Sequence, residues 1–304
     1  MLTRGQIIIL LEPKLSNIWM NSWKTWPTEY TAFTNSRTAK KATITDHKRG
    51  EFGTLVIKGE GNPITYTDPT GGREKSYTPV RFALGYKITQ EAIDHELYGI
   101  VEKYERSLMK SALDHQEVVA ANILNGAFGT TDADGYSSTG FDGLQLCSTA
   151  HTRLDGGANF RNRPSTDADL SLSSLQSAVT DFENLKDDNG RPCKIKPRLV
   201  IISPEDKFVA RELLKSEYKP GTANNDVNAI LEENLSFMVS HYKTDTDAWF
   251  LFGDKTGVKY FWEERPRQEM WEDKDKEVIY RKCVQGMFVG HDSWRGVYGT
   301  SGAG

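Results

Sequence analysis

Between Thr89 and Gly126 the apolar residues Ile93, Leu97, Ile100, Tyr104, Leu108, Ala112, Val119 and Ile123 recur mostly three or four positions apart. This is the stripe of an amphipathic helix. Its opposite side carries Glu102, Lys103, Glu105, Arg106, Lys110 and Asp114. Thr89 is placed to cap the start and Asn125-Gly126 to end it, with Gly99 the one weak point. The spacing predicts one helix over 89–126, about 55 Å long at 1.5 Å per residue. Helices of globular domains average only about 11–12 residues. The segment before it, 52–88, reads as strands broken by Gly/Pro turns. Phe52–Lys58 holds Leu55-Val56-Ile57, and Gly59 to Pro63 turns the chain. Ile64, Tyr66 and Asp68 then alternate with Thr65 and Thr67, and Asp68 to Gly72 turns it again. From Val80 to Ile88 the apolar set falls on alternate residues. A tongue with little core of its own, set before such a helix, is an unusual part for a compact enzyme. It suits a chain that reaches out and grips a neighbour.

The chain has 304 residues, 38% apolar and 26% charged, with 7 Trp, 12 Tyr and 13 Phe. That is ample core material for one large domain or two, and it excludes a disordered chain. With a net charge of −4 and no strongly basic half, nothing indicates a dedicated sequence-reading DNA binder. Cys147, Cys193 and Cys283 are far apart and form no C-x-x-C pair, which fits a reducing compartment without zinc or redox motifs. The longest conspicuous apolar run, Ile7–Leu11, falls far short of the roughly 20 residues a membrane span needs. Glu12 and Pro13 end it, so it is not a signal peptide either. These features place the protein in the cytoplasm, or in something released by lysis.

Residues 1–45 lack sustained periodicity and read as an arm. Trp19, Trp23 and Trp26 fall at helical spacing before Pro27 closes the pattern. They need apolar cover, which either the chain's own core or another subunit supplies. Residues 46–51 read as a charged link. Further on, Leu144–Leu146 reads as a short strand, Leu170–Leu185 as a helix and Leu199–Ile202 as a buried strand. Ser203-Pro204 reads as the cap and first residue of a helix running to about Lys215. The mixture is an α+β pattern. Trp249–Phe252 and Val258–Trp262 predict one hairpin, and Arg267–Trp271 with Glu277–Phe288 another.

Chemical motifs are weak. His95, His115 and Glu117 share the long helix, but the histidines are 20 residues apart and form no H-E-x-x-H. Asp132-x-Asp134-Gly135 lacks the further acidic ligands of a calcium loop. Gly59-x-Gly61 and Gly71-Gly72 open no helix directly, and no G-x-S-x-G surrounds Ser148 beside His151. The sequence therefore assigns no catalytic residue, no cofactor-binding residue and no metal ligand. That absence weighs against an enzyme.

In order, the elements are an arm, a β-hairpin tongue, a very long helix, a mixed α/β body and a final long hairpin. This resembles the HK97-type major capsid fold of tailed bacteriophages. Val80–Glu91 resembles the tongue-to-helix junction of Mu-like major head proteins. Asp142–His151 resembles their DG-x-x-LFS-x-x-H segment, with Gln145 and Cys147 departing from the usual apolar residues. Pro220–Ile230 is similar to another recurrent stretch of that group. The resemblance runs from about residue 46 to the end.

The resemblance implies an N-arm over 1–45 and an E-loop over 46–85. It implies a P domain over 86–140 and 264–289 with spine helix 89–126, and an A domain over 141–263 and 290–304. It implies a major capsid protein that assembles into pentamers and hexamers of an icosahedral shell around double-stranded DNA. Such a protein is put together in the host cytoplasm and resides in the virion. Its implied partners are itself, a separate scaffolding protein (the arm begins near Met1), a portal, a cement or decoration protein, and packaged DNA by non-specific contact, with no membrane. Lys58 and Lys75 lie in the E-loop, but no Asn partner or catalytic Glu matches, so non-covalent assembly is expected. Expected inter-subunit contacts are Trp19, Trp23, Trp26, Leu55, Ile57, Ile64, Tyr66 and Tyr77. The rival readings are an encapsulin-like compartment around a cargo enzyme, a soluble α+β enzyme, and a minor virion or decoration protein.

Overall fold

The structure, a computed structural model, describes residues 4–39, 41, 43–48, 50, 52–69, 72–94, 98–132, 134, 136–154, 156–218 and 226–303. In chain order it has helix α1 (Arg4–Thr25) and strands β1 (Asn35–Thr38), β2 (Ile44–Lys48), β3 (Arg73–Tyr77) and β4 (Val80–Thr89). Helices α2 (Gln90–Asp94), α3 (Tyr98–Asn125) and α4 (Leu172–Glu183) follow, then strand β5 (Pro197–Ile202) and helix α5 (Lys207–Lys215). Strands β6 (Ser236–Val239), β7 (Trp249–Gly253), β8 (Val258–Asp273), β9 (Val278–His291) and β10 (Val297–Thr300) complete it.

Two four-stranded sheets organise the body, ordered β1-β8-β9-β4 and β10-β7-β5-β6. Strand alternation explains how the second sheet fills two cores at once. Leu199, Ile201, Phe250 and Phe252 face a core shared with the end of α3 (Ala120, Ile123, Leu124) and with Tyr260, Trp262 and Met287 of the first sheet. Val200, Ile202, Trp249 and Leu251 face the other way, onto Leu175 and Phe182 of α4 and Leu214 of α5. Helix α4 starts with a reciprocal cap: Ser174 N donates to Ser171 Oγ at 3.2 Å and Ser171 N to Ser174 Oγ at 2.9 Å.

The long helix is found as α2 and α3, the latter of 28 residues. Residues 95–97 between them, including His95, lie outside the described residues, as does the 220–225 part of the third resembling segment. The end of α3 is buried as the stripe requires. A buried ion pair fastens its middle: Arg281 Nη2 of β9 donates to Glu105 Oε1 at 3.2 Å, and both side chains are at most 2% exposed. Tyr86 of β4 adds a 2.8 Å hydrogen bond to the same carboxylate.

Several expectations need correction. Residues 4–25 form a helix where an aperiodic arm is expected. Its stripe is completed by tertiary cover, because Trp19 packs on Leu108, Met109, Ala112 and Leu113 of α3, with Trp23 and Trp26 partly buried beside it. Trp19→Ala is expected to cost about 3–5 kcal/mol of α1 docking, read as faster proteolysis in the Trp26–Glu29 linker. Phe52–Lys58 and Ile64–Asp68 are not paired strands; the ladder is confined to β2 and β3, so the presumed link at 46–48 is strand. Leu144–Leu146 forms no strand. Ser203 does not cap α5, which begins after Asp206; its hydroxyl donates to the carbonyls of Asp245 and Thr246 instead. Finally, β7 and β8 are not a hairpin. β7 pairs with β10 on one edge and β5 on the other, so neither edge is left for β8, which pairs with β9 and β1. The second predicted hairpin is present as β8–β9 and is longer than the sequence indicates.

Candidate inter-subunit site

The tongue between β2 and β3 carries apolar side chains that its own chain does not cover. Leu55 is 102% exposed, Ile57 97%, Tyr66 89%, Val56 69%, Phe52 61% and Ile64 60%. The two arms enclose an open gap of about 820 Å³ instead of a ladder. A lone two-stranded hairpin is marginal in water, and among the described residues no sheet or helix lies beneath this one.

The base, by contrast, is rigidly tied. Five register pairs join β2 to β3. Lys259 Nζ bridges Asp46 at 2.6 Å and Asp292 at 2.5 Å. Lys48 and Arg295 both reach the Asp188 carboxylate, at 2.5 and 2.9 Å. Burial alone would raise Asp188, but these two cations hold it below the usual carboxylate range. Lys75 Nζ donates to Thr139 at 2.7 Å, and burial lowers its pKa. Tyr77 donates to the His291 carbonyl at 2.6 Å. The tongue is thus an uncovered projection on a root tied by ion pairs and hydrogen bonds.

Of the eight expected contact residues, the structure brings Leu55, Ile57, Ile64 and Tyr66 together on the tongue. Trp19, Trp23 and Trp26 lie instead against α3, and Tyr77 is 2% exposed between Phe261 and Phe288. Phe52 and Val56 belong with the exposed set; the β-rich run around them was the available signal. The ion pairs at the root had none, since Asp46 and Lys259 are 213 positions apart.

The remaining polar clusters are structural. His151 Nδ1 lies 2.6 Å from Asp142 and Nε2 2.9 Å from Asn162 Oδ1, with the ring stacked on Trp294. Asn162 Nδ2 donates to the carbonyls of Leu146 and Val297, fastening the loop to β10. Ser148 Oγ accepts from Ala150 N at 3.2 Å and makes no described bond to His151. Asp132 Oδ1 accepts from the backbone of Asp134 and Tyr136, a turn and not a cation loop; Gly135 lies outside the described residues. Among the described residues no group of three or more His, Cys, Asp or Glu is placed to hold a metal.

Glu117 of α3 anchors the linker after α1, accepting from Glu29 N at 3.1 Å and Tyr30 N at 2.9 Å. Burial pushes it up to about 7, against those two N–H groups, with the Glu29 and Asp114 carboxylates adding to the rise. Tyr30, Tyr260 and Tyr242 also surround it, and Arg265 lies near Tyr30. The native subunit therefore holds a proton that the unfolded chain releases above 4.5. Its contribution is complete below that value and is lost as pH rises through about 7. Urea titrations are expected to show stability falling by about 1–3 kcal/mol between pH 5 and 8, a slope that Glu117→Gln removes.

Two sheets, a long helix tied across them and an uncovered tongue make an architecture shared with several capsid proteins. The capsid of an empty GTA particle shares it with a TM-score of 0.60 at 8% identity over 90% of both chains. The capsid of Myoviridae phage XM1 gives 0.53 at 14% over 89% of both. The bacteriophage JBD30 capsid gives 0.55 at 13% over 72% of this chain and 91% of that one. A virus-like particle from Pyrococcus furiosus gives 0.50 at 9% over 95% and 98%. At such identities the likeness is one of fold. No curated protein matches the sequence. The family model described as phage capsid protein matches residues 73–300, and the chain belongs to that family. It is a shell-forming structural protein and not an enzyme. Helix α1 and the tongue precede the matched span.

Proposed function

We propose that this chain is the major head subunit of a tailed phage, assembling into pentamers and hexamers that close an icosahedral shell around double-stranded DNA. The observation that carries the reading is the tongue: six large apolar side chains at 60% exposure or more, on a root fixed by ion pairs, in a chain of the capsid family. In water such a surface is costly, and a neighbouring copy covers it. Closed symmetry then repeats that contact over the whole shell.

In this reading residues 1–45 are the N-arm, here largely helical, and 46–85 the E-loop. Residues 86–140 and 264–289 are the P domain along the spine helix, and 141–263 with 290–304 the A domain. Leu55, Ile57, Ile64 and Tyr66 make the inter-subunit contact, while Trp23 and Trp26 are half-covered by α3 and open to a second partner. Scaffolding, portal and cement proteins are the further partners, packaged DNA touches the inner wall weakly, and assembly takes place in the host cytoplasm. A second reading is an encapsulin-like compartment around a cargo enzyme, since a virus-like particle shares the fold; the phage family match favours the first.

Electron microscopy of the protein, expressed alone and with its neighbouring genes, tests this. Closed particles or five- and six-fold rings are the expected result, and nucleic acid or protein inside them decides between the readings. A uniform monomer under every condition overturns both.

A further inference from the structure

Helix α1 joins the rest of the chain through a linker that ends at β1, and one buried side chain holds that linker. Glu117 of α3, 3% exposed, accepts from both Glu29 N and Tyr30 N. Acids crowd this point. The Glu29 carboxylate accepts from His241 N at 3.2 Å and lies 2.6 Å from the His241 ring. Asp114, one turn earlier on α3, accepts from the Tyr242 hydroxyl at 2.9 Å. The linker, α3 and the loop after β6 therefore meet around a single carboxyl group.

The groups facing Glu117 come from four elements. Its own helix supplies Asp114, the linker Glu29 and Tyr30, the loop after β6 Tyr242, and β8 Tyr260. Arg265 of β8 acts on Tyr30 and Tyr260, and His241 is engaged by Glu29 and is 67% exposed. No described cation forms an ion pair with Glu117. A neutral Glu117 suits this setting. An ionised one is a third carboxylate, buried beside two others with two N–H donors and no counter-ion. Opening of the linker relieves that cost by letting water in. Beyond this point α1 is held by Trp19 on α3 and by the Lys14–Glu102 pair at the surface, and such surface pairs contribute little.

We propose that Glu117 is a proton-controlled latch for helix α1: protonated, it keeps the linker docked, and ionised, it lets linker and helix lift from α3 while both sheets stay folded. Lifting uncovers Leu108, Met109, Ala112 and Leu113 of α3 together with Trp19. The sign follows from linkage. The docked carboxyl titrates at about 7 and the released one at 4.5, so docking is strongest below 4.5 and weakens as pH rises through about 7. The latch belongs to the single subunit and does not depend on the shell reading.

Hydrogen–deuterium exchange of the full chain as free subunits, expressed as protection factors and followed at low urea, tests it. Between pH 5.5 and 7.5 the protection of residues 4–25 is expected to fall by about tenfold or more. At pH 7.5 that exchange should be insensitive to urea, the mark of a local opening, whereas β5 and β7 keep the urea dependence of global unfolding. Glu117→Gln keeps an acceptor and cannot ionise, so its α1 should stay protected at both pH values. Asp114→Asn removes one of the crowding charges and should shrink the fall. If at pH 7.5 α1 shares the protection and urea dependence of β7, the latch is overturned and Glu117 acts on the whole fold. An equal fall in Glu117→Gln, or an undiminished one in Asp114→Asn should the first variant not fold, overturns it too.

Discussion

Glu105→Ala is expected to destabilise the subunit by about 3–5 kcal/mol, the largest loss of any single polar substitution considered, read as a lower urea midpoint. The reason is asymmetry. Glu105 and Arg281 have been taken out of water together, at 0% and 2% side-chain exposure. Removing the carboxylate leaves a buried guanidinium whose remaining described side-chain acceptor is Gln268. It also strands the Tyr86 hydroxyl, which donates to Glu105. Pairing Glu105→Leu with Arg281→Met should recover most of the loss, because both desolvation costs disappear together. Tyr86→Phe should cost only about 1 kcal/mol, the net worth of one hydrogen bond. If Glu105→Ala alone matched the double variant, the pair would not be the fastening between α3 and β9.

Such a fastening was invisible in the sequence. Glu105 reads as one of several charges on the polar side of a helix, and its partner lies 176 positions away. What could be read were patterns complete within one element. The later part of the α3 stripe (Leu108, Ala112, Val119, Ile123), the α4 stripe and the β8–β9 turn each carry their own signal and appear where expected, whereas Ile100 and Tyr104 of the same stripe are exposed. Helix α1 does not, because Pro13 interrupts its pattern and its apolar face is matched by residues on α3. The Gly253–Gly257 turn misled in the opposite sense. Its local chemistry suits a hairpin, but the strands it joins belong to different sheets, since both edges of β7 are taken by β10 and β5. Among the contact residues, hydrophobicity picked out Tyr77 and Leu55 alike. Only the fold distinguishes them: Tyr77 is held at the root by the His291 carbonyl and two phenylalanine rings, whereas Leu55 lies beyond the last β2–β3 pair.

That distinction leads to the second large effect. A chain with Leu55→Ser, Ile57→Ser and Tyr66→Ser is expected to fold as the parent does and to lose assembly. In the free subunit these side chains are 89–102% exposed, so replacing them removes almost no intrachain packing; circular dichroism and urea midpoint should be unchanged within about 0.5 kcal/mol. In the shell each would be covered, and covering a large apolar side chain is worth about 1.5–3 kcal/mol. Three together weaken each contact by roughly 4 kcal/mol or more, which raises the protein concentration needed for assembly about a thousandfold. Light scattering across a concentration series reads this directly. A parallel Tyr77→Ser variant separates the mechanisms, since losing a buried ring and its hydrogen bond should lower the stability of the free subunit first. If the triple variant assembled at the parental concentration, the exposed tongue would not be the grip, and the cover for Trp23 and Trp26 would be the next surface to test.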